Sequence, residues 1–151
     1  MLVDGHWTVL AANRPCARLF GGDLVGVNIV RVFVANPAAA AGVVNWPEVA
    51  WAGLERLRQQ LDRAPFDDEL RDLVALAETA MAGLARPATP GPEVVMCPWF
   101  RVGDQVVRTI GMAARFDPVS EVTLDELRVE LIYPLDADAE RFFRRYAGAT
   151  D

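Results

Sequence analysis

Two consecutive amphipathic segments in the middle of the chain, with strand-like segments before and after them, place the strongest constraint on its fold. The first begins at Asn45-Trp46-Pro47-Glu48, which predicts a capping box, and it ends at Pro65. Its apolar residues recur at helical spacing: Trp46, Ala50, Leu54, Leu57 and Leu61. The second begins near Asp67 and continues to Arg86-Pro87, with the stripe Phe66, Leu70, Leu73, Ala77, Met81 and Leu84. We therefore predict two long helices.

The N-terminal part of the chain is typical of a hairpin followed by short helices. Residues 1–3 and 7–12 are apolar runs separated by Asp4-Gly5-His6, which predicts two strands joined by a tight turn. A capping residue and an early proline predict a helix over residues 14–20, which a glycine pair ends. We also predict a short helix over residues 28–35, where periodicity alone is ambiguous.

The C-terminal part changes to strand periodicity after a proline-rich loop at residues 87–92. Residues 94–102 and 105–116 predict a second hairpin, whose first strand should lie at a sheet edge or carry a bulge because Pro98 cannot donate a hydrogen bond. A second capping box predicts one helical turn over residues 124–127. Residues 128–133 alternate, and we expect the apolar side chains to share one face of a half-buried strand: Val129, Leu131 and Tyr133. A terminal helix is predicted from Asp136 onward.

This order of segments predicts an α+β fold with an antiparallel sheet of about five strands and helices packed on one face. The chain has 151 residues, of which 52% are apolar and 24% are charged, so it can bury a large core. That length suits a single domain over residues 1–151.

Rare residue types exclude most catalytic chemistry. The chain contains no lysine, one histidine (His6) and one serine (Ser120), and neither of these two lies in a G-x-S-x-G motif. Cys16 and Cys97 are far apart, and with one histidine they cannot complete a tetrahedral zinc site. We therefore expect no enzyme, no catalytic residue, no metal site and no cofactor.

Charge and hydropathy limit the partners and the compartment. A net charge of −6 disfavours DNA binding by these residues, since nucleic-acid binding depends on Lys and Arg. Two cysteines without a close pairing favour a reducing cytoplasm. No apolar run approaches the ~18 to 20 residues that a membrane span requires, and the N-terminus lacks the apolar core of a signal peptide, so we expect no membrane partner.

Several motifs together resemble one known family. The run Val3-Asp4-Gly5-His6-Trp7-Thr8-Val9-Leu10-Ala11-Ala12-Asn13-Arg14, followed by Arg18-Leu19-Phe20-Gly21, resembles the opening of the MmyB-like ligand-binding domain, which has a PAS-like fold. Asn45-Trp46-Pro47-Glu48 is similar to that family's helix start. Its closing strands are similar to Arg108-Thr109-Ile110, Phe116-Asp117, Asp125-Glu126-Leu127-Arg128-Val129-Glu130 and Tyr133-Pro134.

The resemblance implies the C-terminal sensory domain of a bacterial Xre-type transcription regulator that holds a fatty acid or a similar apolar molecule in an internal cavity. The family normally carries an N-terminal helix-turn-helix domain, so DNA would be bound only through a domain absent from this sequence. The chain would be either an excised fragment or a stand-alone sensor. Residues 26–31 are also similar to a segment of flavin-binding light sensors, but Ile29 stands where their reactive cysteine would be.

We predict a ligand cavity between the inner sheet face and the helices, with an arginine that holds a carboxylate. Its expected lining is formed by large apolar residues: Phe33, Trp46, Trp51, Phe100, Met112 and Phe116. Arg31 is the first candidate for the anchoring arginine and Arg108 the second. The alternatives are that the apolar residues are ordinary core and that each arginine is a surface residue paired with a carboxylate.

A second interpretation is a ligand-free module whose sheet or terminal helix forms a homodimer or contacts another protein. It rests on the aromatic residues near the C-terminus, Phe142, Phe143 and Tyr146, and on the arginines around them. His6 could be a haem ligand or a pH sensor, and the alternative is a turn residue with local hydrogen bonds. Asp67, Asp68 and Glu69 could bind a divalent ion, but we favour capping groups at a helix start.

Overall fold

The structure is a computed structural model, and it describes residues 1–87, 97–115 and 127–147. Five antiparallel strands form one curled sheet in the order β2-β1-β5-β4-β3. The strands are β1 (Leu2–Val3), β2 (Val9–Ala11), β3 (Trp99–Val102), β4 (Gln105–Arg115) and β5 (Arg128–Pro134). The helices are α1 (Arg14–Phe20), α2 (Trp46–Arg63), α3 (Asp68–Ala80) and α4 (Ala137–Ala147). The predicted α+β, PAS-like class is confirmed.

The N-terminal elements form where the sequence predicts them. β1 and β2 pair as an antiparallel hairpin. The side chain of Asn13 accepts a hydrogen bond from the Cys16 backbone N–H at 3.1 Å, which caps α1. Gly21 ends the helix with φ of 85°, in the left-handed region that glycine adopts without strain.

The segment predicted as a short helix is one turn of π-helix at Val30–Val34, followed by a 3₁₀ turn at Pro37–Ala41. α2 begins at Trp46 as predicted, but the predicted capping box is wrong, because the Asn45 side chain makes no hydrogen bond to its own helix. It bonds β3 instead: it accepts from the Trp99 N–H at 2.9 Å and donates to the Cys97 carbonyl at 2.9 Å. Asn45 therefore joins the start of α2 to an edge strand.

α3 is shorter than its apolar stripe indicates. Asp67 caps it by accepting a hydrogen bond from the Leu70 N–H, as predicted, and the helix ends at Ala80. The placement of Phe66 in the stripe is wrong, since its side chain is 92% exposed. Phe66 precedes the cap, where the chain is not helical and spacing no longer sets the direction of a side chain.

β3 and β4 form the predicted hairpin around Gly103, which has φ of 60°. β3 lies at an edge of the sheet, as Pro98 requires, and the Pro98 carbonyl accepts a hydrogen bond from the buried Thr109 hydroxyl at 2.6 Å. The predicted loop at residues 88–92, the start of the strand at residues 94–96 and most of the helical turn at 124–127 lie outside the described residues.

β5 faces the opposite way from the direction its apolar pattern implies. Arg128 and Glu130 are buried, whereas Tyr133 is 44% exposed. Each β5 residue shares a face with its β4 partner, so Arg128 pairs with Arg115 and Glu130 with Ala113 on the buried side. Val129, Leu131 and Tyr133 share one face, as predicted, and it is the outer one. Arg128 and Glu130 occupy the interior, where charged residues are rare.

The sheet has one covered and one uncovered face. The inner face carries Val107, Thr109, Gly111, Ala113 and Arg115 of β4 and Arg128, Glu130 and Ile132 of β5. The core lies between this face and the helices, and Phe142 places α4 in it. The outer face carries Val106, Arg108, Ile110, Met112 and Ala114 of β4 and Val129, Leu131 and Tyr133 of β5, of which Met112 is 48% exposed. No described helix is long and apolar enough to cross a membrane.

Candidate functional site

Two cavities lie beside the inner strand β5, and they share no lining residue. The first, the apolar cavity, has a volume of about 360 Å³ between α1, α4 and β5. The second, the arginine cleft, has a volume of about 640 Å³ between α2 and the ends of β4 and β5. Both volumes fall in the ~300 to 1,000 Å³ range of small-molecule sites.

Most residues around the apolar cavity are hydrophobic. They are Met1, Asn13, Pro15, Cys16, Leu19, Glu130, Leu131, Ile132, Tyr133, Pro134, Phe143 and Ala147. α1 supplies Cys16 and Leu19 because they lie three residues apart on the buried side of the helix. Cys16 is a free thiol that is 5% exposed, and burial raises its pKa. The cavity can therefore hold an apolar group beside a protonated thiol.

The arginine cleft has the opposite character. Four arginines line it: Arg56, Arg63, Arg115 and Arg128. Gln59 adds an amide, and Gly111, Met112 and Ala113 of β4 complete the lining. Gly111 and Ala113 lie on the inner face and have little or no side chain, so the space above them stays open.

A nearly buried ion pair lies between the two cavities. Arg56 of α2 donates to Glu130 of β5 through both terminal nitrogens, Nη2 to Oε1 at 2.7 Å and Nη1 to Oε2 at 3.5 Å. Arg56 lines the cleft and Glu130 lines the apolar cavity. The pair neutralises the carboxylate that would otherwise face apolar side chains.

Arg128 is 4% exposed and has no carboxylate partner among the described residues. Its Nη1 donates to Gln60 Oε1 at 2.9 Å, and its guanidinium lies 4.5 Å from the centre of the Trp7 ring. Its buried Nε has no hydrogen-bond acceptor. Burial lowers the pKa of Arg128 to about 10; the negative charges of Glu130 and Asp4 oppose this shift, and the positive charges of Arg56 and Arg115 add to it.

Trp7 holds the two buried arginines together. Arg56 lies 4.9 Å and Arg128 4.5 Å from its ring centre, so one indole interacts with both cations. The indole N–H donates to Gln60 Oε1 at 2.9 Å. Trp7 has φ of 69°, an uncommon backbone conformation for a bulky residue.

His6 contacts the start of α3 rather than its own turn alone. Its backbone N–H donates to Asp4, while its ring Nε2 lies 2.9 Å from Asp67 Oδ2 and Nδ1 lies 3.5 Å from Glu69 Oε2. Partial burial opposes protonation, but the hydrogen bond to Asp67 and the nearby carboxylates outweigh it and raise the pKa of His6. No cluster of three metal-ligating side chains occurs in the part of the chain that the structure describes.

Of the predicted lining residues that the structure describes, Met112 alone lines either of the two cavities. Phe33 and Phe100 pack with Phe20, at ring distances of 5.3 Å and 5.0 Å from it, and Phe100 is part of the buried core. Trp46 is buried, and its indole N–H donates to the Phe33 carbonyl at 2.8 Å. Trp51 lies under Arg86 at 5.6 Å, and its buried Nε1 has no acceptor. A ligand role for these residues stays a prediction.

The two predicted anchors lie at the surface. Arg31 is exposed beside the π-helical turn, and Arg108 is exposed and lies 5.0 Å from the Trp99 ring centre. Met112 lines the arginine cleft, and Phe116 lies outside the described residues. Whether Arg31 or Arg108 binds an acid also stays a prediction.

Sequence reasoning missed the arginines that face the interior, above all Arg56 and Arg128. A signal for one of them exists in Arg128-Val129-Glu130, because two residues of spacing in a strand place both charged side chains on one face. Nothing in the sequence around Arg56 marks it as buried, because arginines on the polar side of an amphipathic helix are usually solvated.

The chain is similar to one described family over most of its length. A family model for the MmyB-like transcription regulator ligand binding domain matches residues 1–145. No curated protein and no solved structure matches the chain.

Proposed function

The chain belongs to the MmyB-like transcription regulator ligand-binding domain family, and from this premise we propose that it is a sensory domain that binds a fatty acid or a similar apolar small molecule. The apolar cavity between α1, α4 and β5 is the observation that supports this function best. The proposal includes no catalytic step, and the domain would act in the cytoplasm, where a bacterial regulator meets DNA.

The size and lining of the apolar cavity suit part of a hydrocarbon chain. Burial of about twelve methylenes at roughly 0.8 kcal/mol each contributes about 10 kcal/mol, while association costs roughly 4 to 15 kcal/mol. The net affinity therefore depends on how completely the chain is enclosed. Phe143 and Leu19 supply broad apolar contacts on two helices, which favours enclosure.

A ligand in the apolar cavity would contact both the first and the last helix of the domain. α1 and α4 contact each other and the sheet, so a ligand between them would set their spacing. A change in that spacing would be the physical output, because packed helices shift as rigid bodies when the volume between them changes.

Denaturing extraction followed by mass spectrometry tests the proposal. We expect the purified chain to release a fatty acid or another apolar molecule in a stoichiometric amount, or to take one up after delipidation. The matched control is Leu19→Trp, which fills the cavity and should lower the bound amount at least severalfold. Absence of any apolar ligand from delipidated and lipid-fed wild-type protein would contradict the proposed function.

The outer face supports self-association as a second candidate function. Six of its residues, Ile110, Met112 and Ala114 of β4 and Val129, Leu131 and Tyr133 of β5, carry no charge in a chain whose net charge is −6, and Arg108 lies at one end of the same face. Two copies could approach at these six residues without bringing like charges together. The terminal aromatic residues that first suggested a dimer pack within the chain instead: Phe142 contacts Phe143 at 5.7 Å and Tyr146 at 4.9 Å.

A light-scattering mass that stays monomeric across a concentration series would reject self-association, and Met112→Glu should shift a dimer to monomer.

A further inference from the structure

The arginine cleft concentrates positive charge in an acidic chain. It contains four guanidinium groups, and Glu130 is the one carboxylate that forms an ion pair with any of them among the described residues. That carboxylate is bound to Arg56, so Arg63, Arg115 and Arg128 form no ion pair in the part of the chain that the structure describes, and Arg128 feels the charges of Glu130 and Asp4 only at longer range. Like charges repel each other, and although solvent screens the exposed Arg63 and Arg115, an anion among the four guanidinium groups would lower their electrostatic energy.

The sheet register makes this repulsion specific. Arg115 and Arg128 are directly opposite partners on β4 and β5, and their side chains share the inner face. Like charges in directly opposite positions destabilise a strand pair. Two of the other arginines, Arg56 and Arg63, approach the same space from α2. An anion between the helix and the strands would interact with both sides at once.

The shape of the cleft leaves room for such an anion. Its volume of about 640 Å³ lies above Gly111 and Ala113, whose small side chains do not fill it. Arg128 lines this cleft, and its buried Nε has no hydrogen-bond acceptor. Guanidinium groups form paired hydrogen bonds with the oxygens of carboxylate and phosphate groups.

We propose that the arginine cleft binds a small oxyanion that carries two negative charges, as a phosphate monoester or a dicarboxylate does. A single carboxylate would neutralise one of three unpaired arginines, whereas a dianion bridges the opposed pair Arg115 and Arg128 or joins it to Arg63. The site is separate from the apolar cavity, because the two share no lining residue and the Arg56–Glu130 ion pair lies between them. The domain would thus read an anionic molecule in addition to an apolar one.

Isothermal titration calorimetry tests the proposal with inorganic phosphate, malonate and acetate at constant low ionic strength and pH 7.5. We expect at least one dianion to bind with 1:1 saturation and about tenfold or more tighter than acetate, as added charge-assisted hydrogen bonds require. Whichever of phosphate and malonate binds more tightly identifies the chemical source of the dianion. No saturable binding of either dianion, or binding no tighter than that of acetate, would overturn the proposal.

Variants separate a built site from general charge attraction. Arg63 and Arg115 are exposed, so Arg63→Gln and Arg115→Gln should fold normally, and each should weaken dianion binding about tenfold. Arg31→Gln is the matched control, since it removes the same charge from an exposed arginine outside the cleft. Equal weakening by all three variants, or no weakening by the two cleft variants, would contradict the proposal.

The test of dianion binding does not depend on whether the apolar cavity binds a fatty acid. Cleft variants should keep the fatty acid that extraction recovers, and Leu19→Trp should keep dianion binding, because each change lies in only one of the two cavities. Loss of both activities in one variant would show that the sites are not separate and would overturn the inference.

Discussion

Arg128 shows how one residue brings charge into the interior of this sheet. Trp7, Gln60 and the backbone of Asp4 surround its guanidinium, and the charge is shared with an aromatic ring rather than neutralised by a carboxylate. Arg56 stacks on the same indole but also holds Glu130. The two arginines differ in their partners, and their substitutions should therefore differ in cost.

Glu130→Ala should destabilise the fold by about 3 kcal/mol, because it leaves the nearly buried Arg56 without its carboxylate. Urea unfolding monitored by circular dichroism measures the change in the free energy of unfolding. The matched control is Glu140→Ala, which removes a carboxylate from an exposed ion pair with Arg144 and should cost less than about 1 kcal/mol. Equal effects of the two substitutions would contradict a structural role for the Arg56–Glu130 pair.

His6 should make stability depend on pH with a defined sign. Its pKa in the folded state is above 6.5, so the protonated ring adds stability below that value, and the contribution is lost as pH rises through the folded pKa. The pKa of Asp67 is lowered, although its slight burial acts in the opposite direction, so its contribution is present above 3.8 and is lost as pH falls through the folded pKa. The interaction is therefore strongest at mildly acidic pH.

We expect the difference in the free energy of unfolding between wild type and His6→Gln to be larger at pH 5.5 than at pH 9. NMR gives the pKa directly, since the chain has one histidine and its ring resonances need no assignment among several. Glu69→Gln serves as a control that keeps the Asp67 hydrogen bond and should lower the His6 pKa only in part. A His6 pKa below 6.5 would refute this account.

At the scale of elements, the start of α2 is fixed by contact with β3. The Asn45 amide both donates to the Cys97 carbonyl and accepts from the Trp99 N–H, and these residues lie more than fifty positions further along the chain. The same asparagine type at Asn13 caps its own helix. An asparagine at a helix start therefore caps the helix in α1, whereas in α2 it joins the helix to a strand.

Asn45→Ser distinguishes a bridge from a cap. A serine can cap a helix about as well as asparagine, but it is too short to donate to Cys97 and accept from Trp99 at once. We expect Asn45→Ser to cost about 1 to 3 kcal/mol by leaving backbone groups unpaired, whereas Asn13→Ser should cost less than about 1 kcal/mol. Thermal unfolding of both variants gives the comparison, and a tolerated Asn45→Ser would restore the capping interpretation.

The elements that local sequence governs were predictable, and those that distant contacts govern were not. α1 follows from Asn13, Pro15 and Gly21, which act within one helix, and its predicted bounds are confirmed. In β5, alternation correctly showed which residues share a face, but it could not show which face is covered. Arg128 and Glu130 are buried there only because Trp7 and Arg56 come from other elements to pair with them.

The candidate site was less predictable than the fold for the same reason. Large aromatic residues indicate a core, and Phe33 and Phe100 do pack against a third ring, but an open space depends on where side chains are small. Gly111 and Ala113 create the room in the arginine cleft, and no pattern marks them in the sequence. The predicted anchor type, arginine, recurs in the cleft at other positions.

At the scale of the whole molecule, one sheet face serves two chemically different spaces. The inner face places Ile132 and Glu130 at the apolar cavity and Arg128 at the arginine cleft, and α2 closes the boundary with Arg56. Alternate residues of a strand are about 7 Å apart, so the two spaces lie close together on β5 while sharing no lining residue.

The protection of Cys16 from alkylation tests the central claim most directly, because this thiol lines the apolar cavity. Delipidated protein is treated with a small neutral maleimide with and without a fatty acid, and mass spectrometry follows each thiol. Cys97 lies outside the cavity and serves as the internal control. The account predicts that the fatty acid slows modification of Cys16 at least severalfold and leaves Cys97 unchanged. Equal rates at Cys16 with and without the fatty acid would contradict it.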